Sequence, residues 1–263
     1  MNPFLPLDGK SILIPRGGTQ GKKLCDKISQ LGGTPYMVPL IDFRKNHDPN
    51  AREYLKRIDQ YNWIIFTSQT GVKFFFQQLA HHNLALSPST KIAAVGEKTK
   101  MAIEKFQLEV SFVPDFFSAD DFANEFTNVG NQSKRVLIPK GNLARDVIAK
   151  SLVSLHWIVD EWIIYKTIFP RESKEKLIYL LENVKLDYGL FTSPSTFHHF
   201  MEVANDPVRE QKAKTMRIIS IGPVTNRAVE SYGWKVSASP EKYTMEDMME
   251  SLCKFNINGR NTI

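Results

Sequence analysis

The chain has 263 residues, 42% of them hydrophobic, and 34 Lys and Arg against 28 Asp and Glu give it a net charge of +6. That length suits two domains of ordinary size, and that apolar content excludes a disordered chain. No apolar run approaches the ~20 residues of a membrane span, and the first residues lack the charged and apolar stretches of a signal peptide, so a cytoplasmic protein is expected.

The predicted elements alternate along the chain. A strand over 11–15 is followed by a helix over 22–30 and a long strand over 35–43. Strand 63–66 leads to helix 71–80, strand 91–95 to helix 98–105, and strand 110–113 to helix 120–126. Strand 135–138 leads to helix 143–153, and a second long strand covers 157–169. Strand 188–191 leads to helix 196–203, strand 217–221 to helix 224–231, and strand 235–238 to helix 245–253, before a short polar tail over 256–263. Most strand candidates are continuous apolar runs, which suit parallel strands covered on both faces. Strand–helix alternation of this kind implies parallel sheets with right-handed crossovers.

The chain also repeats itself. ILIPRG at 12–17 returns as VLIPKG at 136–141, FTS at 66–68 returns as FTS at 191–193, and AAVGEKT at 93–99 returns as ISIGPVT at 219–225. The second copies follow the first by 124, 125 and 126 residues. A solenoid unit is roughly 20–50 residues, so the period marks two domains of one fold. Two such domains facing one another make a cleft suited to a small ligand. The long strands 37–43 and 159–169 read as a pair of connectors. They point to an inserted domain over 42–165 and a discontinuous one made of 1–41 and 166–263. The repeat by itself fits this arrangement and a simple division into halves equally well.

Each repeated block joins a strand to a helix. Thr67 and Ser68, and likewise Thr192, Ser193 and Pro194, stand where helix caps are expected. Gly96 with Thr99 and Gly222 with Thr225 mark tight turns, where glycine lets the backbone approach a ligand. Free amides at a helix start attract carboxylate or phosphate, and the carboxyl ends of parallel strands are the usual binding edge. Simple capping accounts for any one of these turns equally well. Nucleotide, zinc-ligand and serine-hydrolase motifs are absent, and the glycine run 17–21 reads as a flexible turn. The six histidines read as surface residues. Cys25 and Cys253 read as buried reduced thiols, and no metal or cofactor is expected. The positive charge is dispersed, so nucleic acid is not an expected partner and a small polyanion is. Tyr165, on the second connector, is either a proton donor to a leaving group or an aromatic plug at the domain junction.

In order and spacing, ILIPRG, GGTPYMVPLIDF, WIIFTSQTGVKFF, IAAVGEKTKMAI, VPDFFSADDFANEF, RVLIPKGNLARDVI, WIIYKTIF, LFTSPSTFHHF and IISIGPVTNRAV resemble uroporphyrinogen-III synthases across nearly the whole chain. The first strand more often ends Thr-Arg-Pro in that family, so the match there keeps Arg16 without a threonine. The resemblance implies two similar parallel-sheet α/β domains of flavodoxin-like type, joined by a two-stranded β connector. It implies a cofactor-free lyase that cyclises hydroxymethylbilane to uroporphyrinogen III, with loss of water and inversion of ring D through a spiro intermediate. Tyr165 becomes the group that helps the hydroxyl depart. Arg16, Thr67, Ser68, Gly96, Thr99, Thr192, Ser193, Pro194, Gly222 and Thr225 become substrate-binding positions. A monomer is expected. The rival is a two-domain sensor or an inactive relative, which would leave the substrate to close spontaneously to the type I isomer.

Overall fold

The computed structural model describes residues 5–116, 119–126 and 134–260. Residues 117 and 118 of the VPDFFSADDFANEF segment, and 261–263 of the expected tail, lie outside that range.

In chain order the elements are β1 (Ser11–Ile14), α1 (Gly18–Gln30), β2 (Thr34–Met37), β3 (Asp42–Lys45), α2 (Ala51–Lys56), β4 (Trp63–Phe66), α3 (Gln69–His81), β5 (Lys91–Ala94) and α4 (Glu97–Glu104). There follow α5 (Ala119–Phe126), β6 (Arg135–Gly141), α6 (Val147–Ser154), β7 (Ile158–Ile168), α7 (Arg171–Asn183), β8 (Tyr188–Phe191) and α8 (Pro194–Ala204). The chain ends with α9 (Pro207–Ala213), β9 (Arg217–Ser220), α10 (Pro223–Glu230), β10 (Val236–Ala238) and α11 (Met245–Arg260). They form two compact units, one of Met1–Asp42 with Ile168–Ile263 and one of Phe43–Thr167.

The first unit holds a sheet in the order β10-β9-β8-β1-β2, and the second a sheet in the order β3-β7-β6-β4-β5. The pairings β1–β2, β1–β8, β8–β9 and β9–β10 are parallel, as are β4–β5, β4–β6 and β6–β7. Read from β2, the first sheet has the strand order 2-1-3-4-5 of flavodoxin-like folds.

The repeat holds at the level of register. Ser11 pairs with Thr34 as Arg135 pairs with Ile158, Ile12 with Tyr188 as Val136 with Trp63, and Tyr188 with Arg217 as Trp63 with Lys91. Ile219 pairs with Ala238 as Ala93 bridges to Phe112. Thus β1, β2, β8, β9 and β10 correspond to β6, β7, β4, β5 and the Phe112 bridge. The two sheets are one arrangement that the chain enters at different strands. The strand expected over 110–113 is reduced to that single parallel bridge.

Alternate residues of each central strand enter different cores. Leu13 packs with Phe191 and Phe197, whereas Ile12 and Ile14 pack with Leu24, Ile28 and Met248. Ile64 and Phe66 pack with Phe75 and Trp162, whereas Trp63 and Ile65 pack with Phe126 and Leu152. Burial of both faces is the physical reason for the unbroken apolar runs.

Several expectations are corrected. The long strand over 35–43 is broken between β2 and β3, because Pro39 has no N–H for a ladder while buried Val38 and Leu40 fasten the segment to β1 through Ile14 and Pro15 carbonyls. The glycine run is no flexible turn: α1 begins at Gly18, whose φ of +64° suits glycine. Residues 256–260 of the presumed tail are the end of α11, and Asn256 there is buried between Tyr188 and the Pro6 carbonyl. The helix expected from 143 starts only at Val147. Cys25 and Cys253 are half-buried free thiols rather than core residues. His199 is not a surface histidine, since it stacks on Phe169 and reaches the Leu40 carbonyl at 2.6 Å.

Candidate active site

Every turn singled out in the sequence lies at the carboxyl end of a parallel strand. In the second unit Thr67 and Ser68 follow β4, Gly96 follows β5, and Gly141 ends β6. In the first unit Arg16 and Gly17 follow β1, Thr192 and Ser193 follow β8, and Gly222 follows β9. Crossovers leave β4 and β6 in opposite directions, and likewise β8 and β1. Each of these pairs is a topological switch point, where open α/β sheets bind ligands.

At the switch point of the second unit, Ser68 caps α3 by accepting the Gly71 N–H at 3.0 Å. Its hydroxyl also lies 3.1 Å from the Tyr165 hydroxyl. Tyr165 is 8% exposed, stacks on Phe74 and meets Phe43 edge-on. A bulge sets its aim. Lys140 pairs with Ile163 but Gly141 pairs with Tyr165, so Ile164 is the extra residue. Trp162, Ile164 and Tyr165 thereby share one core, which strict alternation forbids. The ring covers Gly141: a Cβ there would stand 2.5 Å from Cζ and 2.7 Å from the hydroxyl oxygen. Gly141→Ala is expected to cost about 1–3 kcal/mol by overpacking. A urea midpoint equal to that of wild type would show that the ring simply moves aside.

At the switch point of the first unit, Arg16 Nη1 donates to Thr192 Oγ1 at 3.0 Å and Nη2 donates to Gln20 Oε1. Burial holds the guanidinium below its ordinary pKa, and it stays a cation throughout the physiological range. Among the described residues it makes no ion pair.

Three helices on these edges, α1, α4 and α10, start on Gly17, Gly96 and Gly222 without a side-chain cap. Their first-turn amides are therefore not claimed by a cap. Ser193 caps α8 through the Thr196 amide, with Pro194 in the first turn. Thr99 and Thr225 are buried, and their amides are taken by the carbonyls of Gly96 and Gly222. Gly222 owes its size to Tyr243, whose ring would lie 2.8 Å from a Cβ there. Among the described residues no group of His, Cys, Asp and Glu has metal-holding geometry, and no helix is long and apolar enough to cross a membrane.

One candidate escaped the sequence reading. Lys140 occupies the repeat position of Arg16, is 6% exposed, and pairs with Glu161 at 2.6 Å. The repeat itself was the signal for it.

The chain matches the model of the family described as Uroporphyrinogen-III synthase HemD over residues 22–250. The chain belongs to the uroporphyrinogen-III synthase family. The family resemblance seen in the sequence is thus confirmed. The chain is 26% identical over 238 residues to the uroporphyrinogen-III synthase of Chlorobaculum parvum, covering 89% of this chain and 94% of that one. It is 29% identical over 260 residues to the porphyrin biosynthesis protein HemD of Ruminiclostridium josui, covering 97% of this chain and 50% of that longer one. A crystal structure of a mutant uroporphyrinogen III synthase from the extreme thermophile Thermus thermophilus superimposes with a TM-score of 0.68 at 16% identity, over 95% of this chain and 100% of that one. At such identity the likeness shows the fold, two parallel-sheet α/β units, which this family member shares.

Proposed function

We propose that this family member converts hydroxymethylbilane to uroporphyrinogen III in tetrapyrrole biosynthesis, and that the two switch points are its substrate-binding edges. In this proposal the chain works as a cytoplasmic monomer without a cofactor. The observation that carries it is the Tyr165 hydroxyl, held 3.1 Å from Ser68 Oγ on a strand-end edge of a synthase-family fold. With Ser68 donating to the phenol oxygen, the phenol hydrogen is left for the substrate hydroxyl, which departs as water. The electrophile so formed is attacked by ring D in the spiro-forming direction.

The substrate carries acetate and propionate arms. Arg16 supplies an unpaired cation for one of them. The uncapped amides of α1, α4 and α10 supply main-chain donors for others, with the Thr67 and Ser193 turns beside them. The amides of Thr99 and Thr225 are spent within their own turns, and Pro194 has none, so these three residues shape the edges and only the two threonine hydroxyls remain to donate. Because hydroxymethylbilane cyclises unaided to the wrong isomer, positioning is the main requirement, and positioning can account for roughly 7–11 kcal/mol of a barrier. The test is to supply hydroxymethylbilane, oxidise the product and resolve the isomers. Type III product is expected to predominate; type I alone would overturn the assignment.

A further inference from the structure

The second switch point contains a small, mostly apolar cavity with charged groups in its lining that the main edge does not explain. Its volume is about 80 Å³, and Thr67, Lys140, Arg145 and Glu161 line it together with Ile138, Ala144 and the start of α6. A cavity of that size has room for a group of a few heavy atoms, such as a carboxylate.

Its donors are only partly used. The Lys140 ammonium has three hydrogens. One goes to Glu161 Oε1 at 2.6 Å and one to the Arg145 carbonyl at 3.2 Å. The third has no acceptor among the described residues, and neither has the Thr67 hydroxyl a partner there. A buried donor left unmatched is costly, so an acceptor small enough to enter is favoured. Glu161 does not repel an anion on balance, because Lys140 neutralises it. Arg145 adds a second cation, tied to Asp120 only by a bridge in which both side chains are well exposed. The first unit has Arg16 at the corresponding place and Met37 where Glu161 stands.

We propose that this cavity takes one acetate arm of the substrate, with Lys140 and Thr67 as its hydrogen-bond donors. The inference rests on the synthase reading and names a binding residue within it.

Two readouts test it. Lys140→Met is expected to raise KM about tenfold, the scale of one charge-assisted hydrogen bond, with kcat and the share of type III retained. Lys140→Arg is expected to lie nearer wild type. Because Lys140→Met strands Glu161, Lys140→Met with Glu161→Gln is measured beside it, and thermal unfolding monitors the fold of each. The second readout is porphyrin fluorescence. Uroporphyrin carries acetate and propionate arms, whereas coproporphyrin has methyl groups in place of the acetates. Wild type is expected to prefer uroporphyrin, and the double variant to lose about tenfold of that preference. A folded variant with KM within about twofold of wild type and an unchanged preference overturns the proposal. So does a loss confined to kcat or to thermal stability. A wild-type chain that makes only type I product sinks the synthase reading, and the porphyrin titration still decides the cavity.

Discussion

Tyr165→Phe is expected to lower kcat about a hundredfold, within the range typical of a lost general acid, while leaving the fold intact. The substitution removes one oxygen. The ring keeps its stack on Phe74, its edge contact with Phe43 and its place over Gly141. The bond to Ser68 is lost, at a net cost of about 0.5–1.5 kcal/mol. Ser68 keeps its capping bond from the Gly71 amide, so α3 stays anchored. Stability and rate therefore separate. A small fall in the unfolding midpoint with a large fall in kcat identifies the hydroxyl as chemical. A rate within about twofold of wild type with normal type III product would make Tyr165 an aromatic plug, the other role open to a phenol with an apolar body. Ser68→Ala adds a control. It is expected to cost about 1 kcal/mol of helix capping and to slow turnover less than Tyr165→Phe does, because the phenol remains.

How much of this was legible in the sequence follows from which signals are local. Strands such as Trp63–Phe66 and Tyr188–Phe191 announce themselves, since burial on both faces leaves no polar position. The repeat carried more than strand positions, because its spacing fixed which strands correspond, and the matched registers bear that out. Among the helices, α7 escaped the sequence reading although Leu177, Leu180 and Leu181 behind Pro170 carry a period, whereas α2 and α9 are too short and too polar for periodicity to reveal. The site is another matter. The Ser68–Tyr165 contact spans 97 residues and depends on a bulge at Ile164. In the string WIIY nothing shows that Ile164 and Tyr165 face the same way. Similarly, Gly222 looks like a place for a ligand to approach, but its neighbour is the ring of Tyr243, 21 residues further along. Lys140 was visible as the partner of Arg16 in the repeat, but its burial and its pairing with Glu161 were not. Those come from β7 running beside β6, a long-range fact that composition does not encode.

Arg16→Met is expected to raise the KM for hydroxymethylbilane by about ten- to a hundredfold, the scale of a hydrogen bond to a charged partner, with a smaller effect on kcat. The reason lies in the contrast between the two switch points. Lys140 is already neutralised by Glu161, so its removal costs a donor more than a charge. Arg16 has only neutral partners, the Thr192 hydroxyl and the Gln20 amide, and half-burial has removed part of its water. That desolvation is a standing cost in the free protein, and an incoming carboxylate offsets it. Methionine keeps most of the apolar stem, so the main loss is the charge with its donors. Arg16→Lys restores the charge but not the forked donor, and falls between wild type and Arg16→Met. Ionic strength separates binding from folding. Over a rise from low salt to about 0.15 M, where screening acts within about 8 Å, the wild-type KM should climb more steeply than that of Arg16→Met. Equal salt slopes with equal KM would place Arg16 outside the substrate's reach and leave it as a brace between β1 and β8.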